Sequence, residues 1–279
     1  MDIESYAFYG CIGLTEIRIP ESVMNIGSYA FYNTAWFNNQ PDGVVYAGKV
    51  AYKYKGTMPS NTKINILEGT KSISEGAFSG CTGLTEITIP ESVTIIETGA
   101  FDDTAWYNNQ PDGVVYAGKV LYSYKGTMPS DTKIDILEGI KSISSYAFAG
   151  CTGLTEITIP NSVTRIGDAA FRGCTGLTEV AIPNRVISLG SSAFSGCTDL
   201  TEVIIPDSVT TIGEYAFYGC KELTEIKIPE SITSIGSDAF YGWTESQTIN
   251  IEANEVPGGW HEDWDYKCNA KIVFGYTGE

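Results

Sequence analysis

The dipeptide Ala-Phe recurs through this chain with its phenylalanine at positions 8, 31, 78, 101, 148, 171, 194, 217 and 240. Successive gaps are 23, 47, 23, 47, 23, 23, 23 and 23 residues, so every gap is one or two turns of a unit of about 23 residues. A fixed period of this length predicts a solenoid of stacked coils. At 279 residues the length alone would fit one or two ordinary domains. The period overrides that prior, because each unit is too small to bury its own apolar face and must stack on its neighbours.

Within one unit, "AFAGCTGLTEITIPNSVTRIGDA" from Ala147 to Ala169, Leu154, Ile157 and Ile159 place apolar side chains on one side of a short strand. Pro160 ends the strand because it has no N–H for a ladder. Val163 and Ile166 mark a second inward segment, Gly167 permits a turn, and Ala170-Phe171 return the chain beneath the core. Stacked units then form a parallel sheet, and the phenylalanines from Phe148 to Phe240 form an aromatic spine. Residues between the inward ones face outward. They give a column of Glu156, Glu179, Glu202 and Glu225, flanked by a second column that includes Thr158 and Lys227.

The double gaps hold two nearly identical stretches, 35–69 and 105–139. They differ only at Phe37/Tyr107, Ala51/Leu121, Lys53/Ser123, Asn61/Asp131 and Asn65/Asp135. Phe8 to Phe78 and Phe78 to Phe148 are each 70 residues, so a three-coil block was duplicated with the stretch inside it. "GVVYAGKVLYSY" alternates Val, Tyr and Leu around Ala117-Gly118-Lys119, which predicts a β-hairpin insert in each copy. "KIDILEG" then resumes the strand, with Lys133, and Lys63 in the first copy, where Glu normally stands. Trp36 and Trp106 are expected to pack in the altered coil. Tyr54 and Tyr124 are expected to be partly exposed and are candidate contacts for sugar or protein.

The pattern Ala-Phe-x-x-Cys-x-x-Leu-x-x-Ile-x-Ile-Pro-x-x-Val-x-x-Ile-Gly resembles the BspA-like class of leucine-rich repeats and covers about Ile3 to Gly242. The resemblance implies a right-handed leucine-rich repeat coil with a parallel β-sheet on one face, mostly strand with irregular and short helical turns. It also implies a bacterial cell-surface or secreted setting and attachment to host proteins, other cells or polymers. The organisation expected is a solenoid over 1–248, with variant hairpin coils near 35–69 and 105–139, followed by a capping segment over 249–279. Trp260, Trp264, Val273 and Phe274 would form that cap. Ile3 to Gly10 enters in mid-unit, which suggests a longer protein whose further part carries the export signal.

A net charge of -17 repels phosphate backbones and anionic lipid, so a nucleic-acid partner is not expected. No uninterrupted apolar run reaches the eighteen or so residues of a spanning helix, so no membrane insertion is expected within this chain. Six cysteines, Cys11, Cys81, Cys151, Cys174, Cys197 and Cys220, stand three residues after a spine Phe, while Cys268 stands apart. Side chains in one column point the same way, which favours small buried hydrophobes over a disulfide framework or a zinc site. His261 is the single histidine, in a run of charged residues, so no catalytic residues, metal or cofactor are expected. The function expected is a non-catalytic, monomeric recognition module that binds a protein or glycan. Its contact candidates are Glu156, Glu179, Glu202, Glu225, Thr158, Lys227, Tyr54 and Tyr124. The alternative is a passive stalk in a larger surface protein.

Overall fold

The computed structural model describes residues 2–278 and is a parallel β-solenoid with very little helix. The chain divides into two compact units, Met1–Pro111 with Tyr116–Val120, and Asp112–Val115 with Leu121–Glu279.

In the second unit, strands Thr132–Asp135, Leu154–Thr158, Glu179–Ala181 and Glu202–Ile204 form one parallel sheet. The two-residue strands Ser142–Ile143, Arg165–Ile166, Ser188–Leu189, Thr211–Ile212 and Ser234–Ile235 run side by side in a second. Between the sheets lies the spine. Phe148, Phe171, Phe194, Phe217 and Phe240 are fully buried. Their rings stack face to face at 5.4, 5.3, 5.8 and 5.8 Å between centroids. Each spine amide from Phe148 to Phe217 donates to the carbonyl of the alanine before the next spine phenylalanine, at 2.8–2.9 Å. One turn therefore supplies both a buried ring and an inter-coil hydrogen bond.

Side chains satisfy the backbone groups this geometry strands. The Cys174, Cys197 and Cys220 thiols donate to the carbonyls of Phe148, Phe171 and Phe194 at 3.1, 3.1 and 3.2 Å. Where the cysteine column ends, Trp243 Nε1 takes the Phe217 carbonyl at 3.0 Å. The Thr155, Thr178 and Thr201 hydroxyls each donate to the carbonyl of the equivalent threonine one coil back, at 3.0–3.2 Å. Cys174, Cys197 and Cys220 are thus buried polar partners as well as small hydrophobes, whereas Cys81, Cys151 and Cys268 are half-buried and Cys11, expected in the buried column, is exposed; all seven are free thiols.

Into the segment expected as a cap, the strands Thr248–Ile251 and Lys271–Phe274 keep the 23-residue step. Thr248–Ile251 pairs with Glu225–Ile228 before it and with Lys271–Phe274 after it, all in parallel register. The consensus is lost here because Trp243, Trp260 and Trp264 do the filling: Trp264 meets Phe240 at 6.0 Å and Trp260 at 4.9 Å, both edge-on.

In the first unit the same coil carries the first copy of the repeated stretch. Thr34 is extended, and its hydroxyl accepts from the Phe37 amide at 3.0 Å, which caps the short helix Ala35–Asn38. The Trp36 amide donates to the Leu14 carbonyl at 2.6 Å. Strands Gly43–Ala47 and Val50–Lys55 pair antiparallel as the predicted hairpin, and Val50–Ala51 continues in parallel onto Ser72–Ile73. Gly48 turns the hairpin at φ +63°, where an added Cβ would sit 3.0 Å from Ile19. Because the hairpin replaces an Ala-Phe turn, the Phe31 amide has no alanine carbonyl to its side. The buried Tyr52 hydroxyl lies 3.0 Å from that amide and accepts from it instead.

Candidate functional site

The outward face of the long-strand sheet in the second unit holds most of the expected contact residues. Lys133 pairs in register with Glu156, Glu156 with Glu179, and Glu179 with Glu202. Three carboxylates therefore stand in line one strand apart. Like charges so placed work against the ladder. Lys133 relieves the first end by an ion pair with Glu156, and that hydrogen bond and charge hold its ammonium pKa above the usual value. The Glu202 carboxylate has neither a hydrogen bond nor an ion pair among the described residues. Thr158, Ala181 and exposed Ile204 share a shallow open depression with these carboxylates.

Glu225 stands exposed at the next step of the period, but the hydrogen-bonded ladder does not run on to its strand. Its strand, Glu225–Ile228, lies beside Glu202–Ile204 without ladder hydrogen bonds and pairs in register with Thr248–Ile251 on its other side. Glu225 accepts a hydrogen bond from Asn250 Nδ2 at 2.6 Å. Lys227 is likewise occupied, 2.6 Å from Glu252. The pairing raises the Lys227 pKa, and the same hydrogen bond lowers that of Glu252, helped by the Glu230 amide.

Tyr124 does not share the acidic face. It lies in Val120–Lys125, and its amide donates to the Ala147 carbonyl at 2.7 Å, on the turn side of the coil. Its ring leans on Phe148 at 6.4 Å, as Tyr54 leans on Phe78 at 6.5 Å in the first unit. Both tyrosines are half-buried, and burial raises both phenol pKa values. Trp36 and Trp106 sit edge-on to Phe31 and Phe101 at 5.1 and 4.8 Å.

Another aromatic surface went unread in the sequence. Tyr6 and Tyr29 stand two residues before a spine Phe and Tyr9 and Tyr32 one after, and all four are exposed. Tyr6 stacks on Tyr29 at 5.4 Å and Tyr9 on Tyr32 at 5.8 Å. Tyr215, Tyr218 and Tyr241 occupy the same columns in the second unit, where Lys267 Nζ lies 5.4 Å from the Tyr241 ring centroid. The signal was available: Tyr6, Tyr29, Tyr146 and Tyr215 all fall on the period. Each adopts a left-handed φ of 54–63°, a conformation unfavourable for a bulky side chain.

His261 Nδ1 accepts from the Asp263 amide at 3.0 Å. Among the described residues no three His, Cys, Asp or Glu side chains gather closely enough to hold a metal ion. Burial pushes the Cys151 thiol up to about 11 and the Cys220 thiol to about 12, with Cys174 and Cys197 raised as well. A thiol pKa raised in the folded state gives stability that is intact below the unfolded value of 9.0 and is lost as pH rises above it. Thermal melts should therefore fall from pH 9 upward, and at pH 8 exposed Cys11 should alkylate while Cys174, Cys197 and Cys220 stay protected. Mass spectrometry of the alkylated native protein checks this. Early modification of Cys197 would contradict the buried column.

The chain matches the BspA type leucine rich repeat region, in six copies, over residues 1–55, 50–111 and 121–256. It belongs to the BspA-type leucine-rich repeat family. No match is found among curated proteins. Among solved structures it is 27% identical to a leucine-rich repeat protein from Bacteroides ovatus, with a TM-score of 0.48, over 77% of this chain and 55% of that one. It is also 27% identical to a leucine rich cell surface protein from Faecalibacterium prausnitzii, with a TM-score of 0.41, over 99% and 70% of the two chains. The pneumococcal vaccine antigen PcpA is 15% identical, with a TM-score of 0.39, over 99% and 77%. The chain thus spans 55% of the length of the Bacteroides ovatus protein. Among the described residues no helix is long and apolar enough to cross a membrane.

Proposed function

We propose that the protein is a non-catalytic recognition module of a bacterial cell-surface or secreted protein, which binds a protein or glycan through side chains on its outer faces. The observation that carries this reading is the ladder Glu156–Glu179–Glu202. It lines up carboxylates at a cost to folding and leaves Glu202 without a partner, beside exposed Ile204. Such a strip suits a cationic, partly apolar partner surface.

The stalk reading draws on a different observation: Glu156, Glu225 and Lys227 are all taken up within the chain itself. The double variant Glu179→Gln/Glu202→Gln separates the two. A recognition strip predicts that the variant melts at or above the wild-type temperature, because repulsion is relieved, yet retains at least ten-fold less partner from host-matrix and cell-wall extracts at low salt. If the variant retains all that wild type does, the acidic strip is scaffold, and if neither retains anything the stalk reading stands.

A further inference from the structure

The first copy of the repeated stretch leaves a groove of about 620 Å³ in the first unit, lined by Tyr29, Tyr32, Tyr52, Lys53, Tyr54 and Gly76 among others. Its origin is the missing Ala-Phe turn. The strand Val50–Lys55 runs where other coils have that turn, as the Tyr54 amide shows by donating to the Ala77 carbonyl at 2.8 Å. The turns on either side, one carrying Tyr29 and Tyr32 and the other Gly76 and Ser79, are therefore left apart. Tyr6 covers one face of the Tyr29 ring, and the Tyr29 side chain lines the groove beyond.

Two properties of the lining restrict its occupant. The apolar part is wholly aromatic, with no aliphatic side chain, and the rim adds the hydroxyls of Ser28 and Ser79. The negative face of an aromatic ring attracts the polarised C–H hydrogens of a sugar ring, while hydroxyls at the rim match the sugar's own. The second property is charge. In a chain of net charge -17 the groove holds Lys53 and Lys55 against Glu75. Lys55 Nζ is committed to the carbonyls of Asn38 and Gln40. Lys53 Nζ donates to the Gly76 carbonyl at 2.6 Å and has no second acceptor among the described residues. Burial lowers its pKa, so an anion brought to it would restore what desolvation removes.

We propose that this groove binds a carboxylate-bearing sugar of uronic or sialic type, its ring packed against Tyr29 and Tyr32 and its carboxylate on Lys53. The proposal rests on the recognition reading above and assigns the glycan to residues of the first unit and not to the acidic strip. The duplication supplies a control. Where the first copy has Tyr29, Tyr32, Lys53 and Gly76, the second has Gly99, Asp102, Ser123 and Tyr146. Tyr32→Asp, Lys53→Ser and Gly76→Tyr therefore introduce residues the same coil already carries. Gly76 has φ +59° and Tyr146 has φ +60°, so tyrosine suits the backbone there, and its ring would occupy the groove.

The test is titration of the full chain, followed by NMR or calorimetry, with trigalacturonate and its methyl ester and with 3′-sialyllactose and lactose. At least one acidic probe should bind, and its neutral counterpart at least ten-fold more weakly. Tyr32→Asp and Lys53→Ser should each weaken binding at least ten-fold, and Gly76→Tyr should abolish it with the melting temperature kept. Failure of both acidic probes, equal binding of the neutral ones, or undiminished binding by Gly76→Tyr overturns the proposal. An oligo-glutamate peptide that binds and is blocked by Gly76→Tyr, where both sugars fail, overturns it in favour of an acidic peptide. Partner capture that is lost in Glu179→Gln/Glu202→Gln but unchanged in Gly76→Tyr would sink this site and leave the recognition reading standing.

Discussion

Phe194→Ala is expected to destabilise the protein by about 3–5 kcal/mol, the range for emptying a buried phenylalanine site. Phe194 is fully buried and stacked between Phe171 at 5.3 Å and Phe217 at 5.8 Å. Its neighbours cannot collapse into the void, because their own backbones are tied to the coils on either side. Cys197→Ser keeps a donor to the Phe171 carbonyl and should lose only about 1 kcal/mol, while Cys197→Ala leaves that buried carbonyl without its partner and should lose more. Denaturant melts of the three variants check the order. A Phe194→Ala midpoint equal to wild type would contradict the stacked spine.

Gly190→Ala is the second large effect, and its cause is close approach between coils. A Cβ on Gly190 would lie 2.5 Å from the Asp168 amide nitrogen and 2.5 Å from the Gly167 carbonyl carbon. Backbone atoms of the preceding coil cannot move aside as a side chain would. The coils must part, which weakens the Gly190 amide bond to the Ile166 carbonyl and the pairing of Leu189 with Ile166. A loss of about 3 kcal/mol is expected, at the upper end for overpacking. Gly219→Ala is the control: φ is +67° with open space around it, so only the left-handed strain of about 1 kcal/mol applies. Chemical denaturation of both variants should show that ranking, and the reverse ranking would contradict close coil stacking.

The period made the fold readable, because an inward residue must recur wherever the same coil recurs. The spine, the register of Glu156, Glu179 and Glu202, and Lys133 opposite Glu156 all followed from spacing. What spacing could not carry was where the ladder breaks. Glu225 keeps the period, yet no ladder hydrogen bonds join its strand to Glu202–Ile204, and Asn250 on the following strand gives its carboxylate a side-chain donor. Nor does a period say which polar group a side chain will reach. The cysteines read as hydrophobes until the Phe148, Phe171 and Phe194 carbonyls were seen beside their thiols. The groove arises from a turn that is absent, and an absent turn leaves no motif; only Tyr29 and Tyr32 on one side and Lys53 on the floor of the altered coil mark it.

The two candidate surfaces depend on the same scaffold in different ways. The acidic strip is built by adding one strand per coil, so its length is set by how far the long-strand sheet stays paired. The tyrosine-lined groove is built by leaving a turn out. Both require that each coil be held by hydrogen bonds to the next, and that requirement can be measured without any ligand. Amide hydrogen exchange resolved by NMR at Phe148, Phe171, Phe194 and Phe217 reports it directly, since each amide donates across the coil boundary at 2.8–2.9 Å. All four should exchange together, with protection set by unfolding of the unit as a whole. Exchange of these amides at the rate of an exposed turn amide such as that of Gly13 would contradict the stacked-coil account.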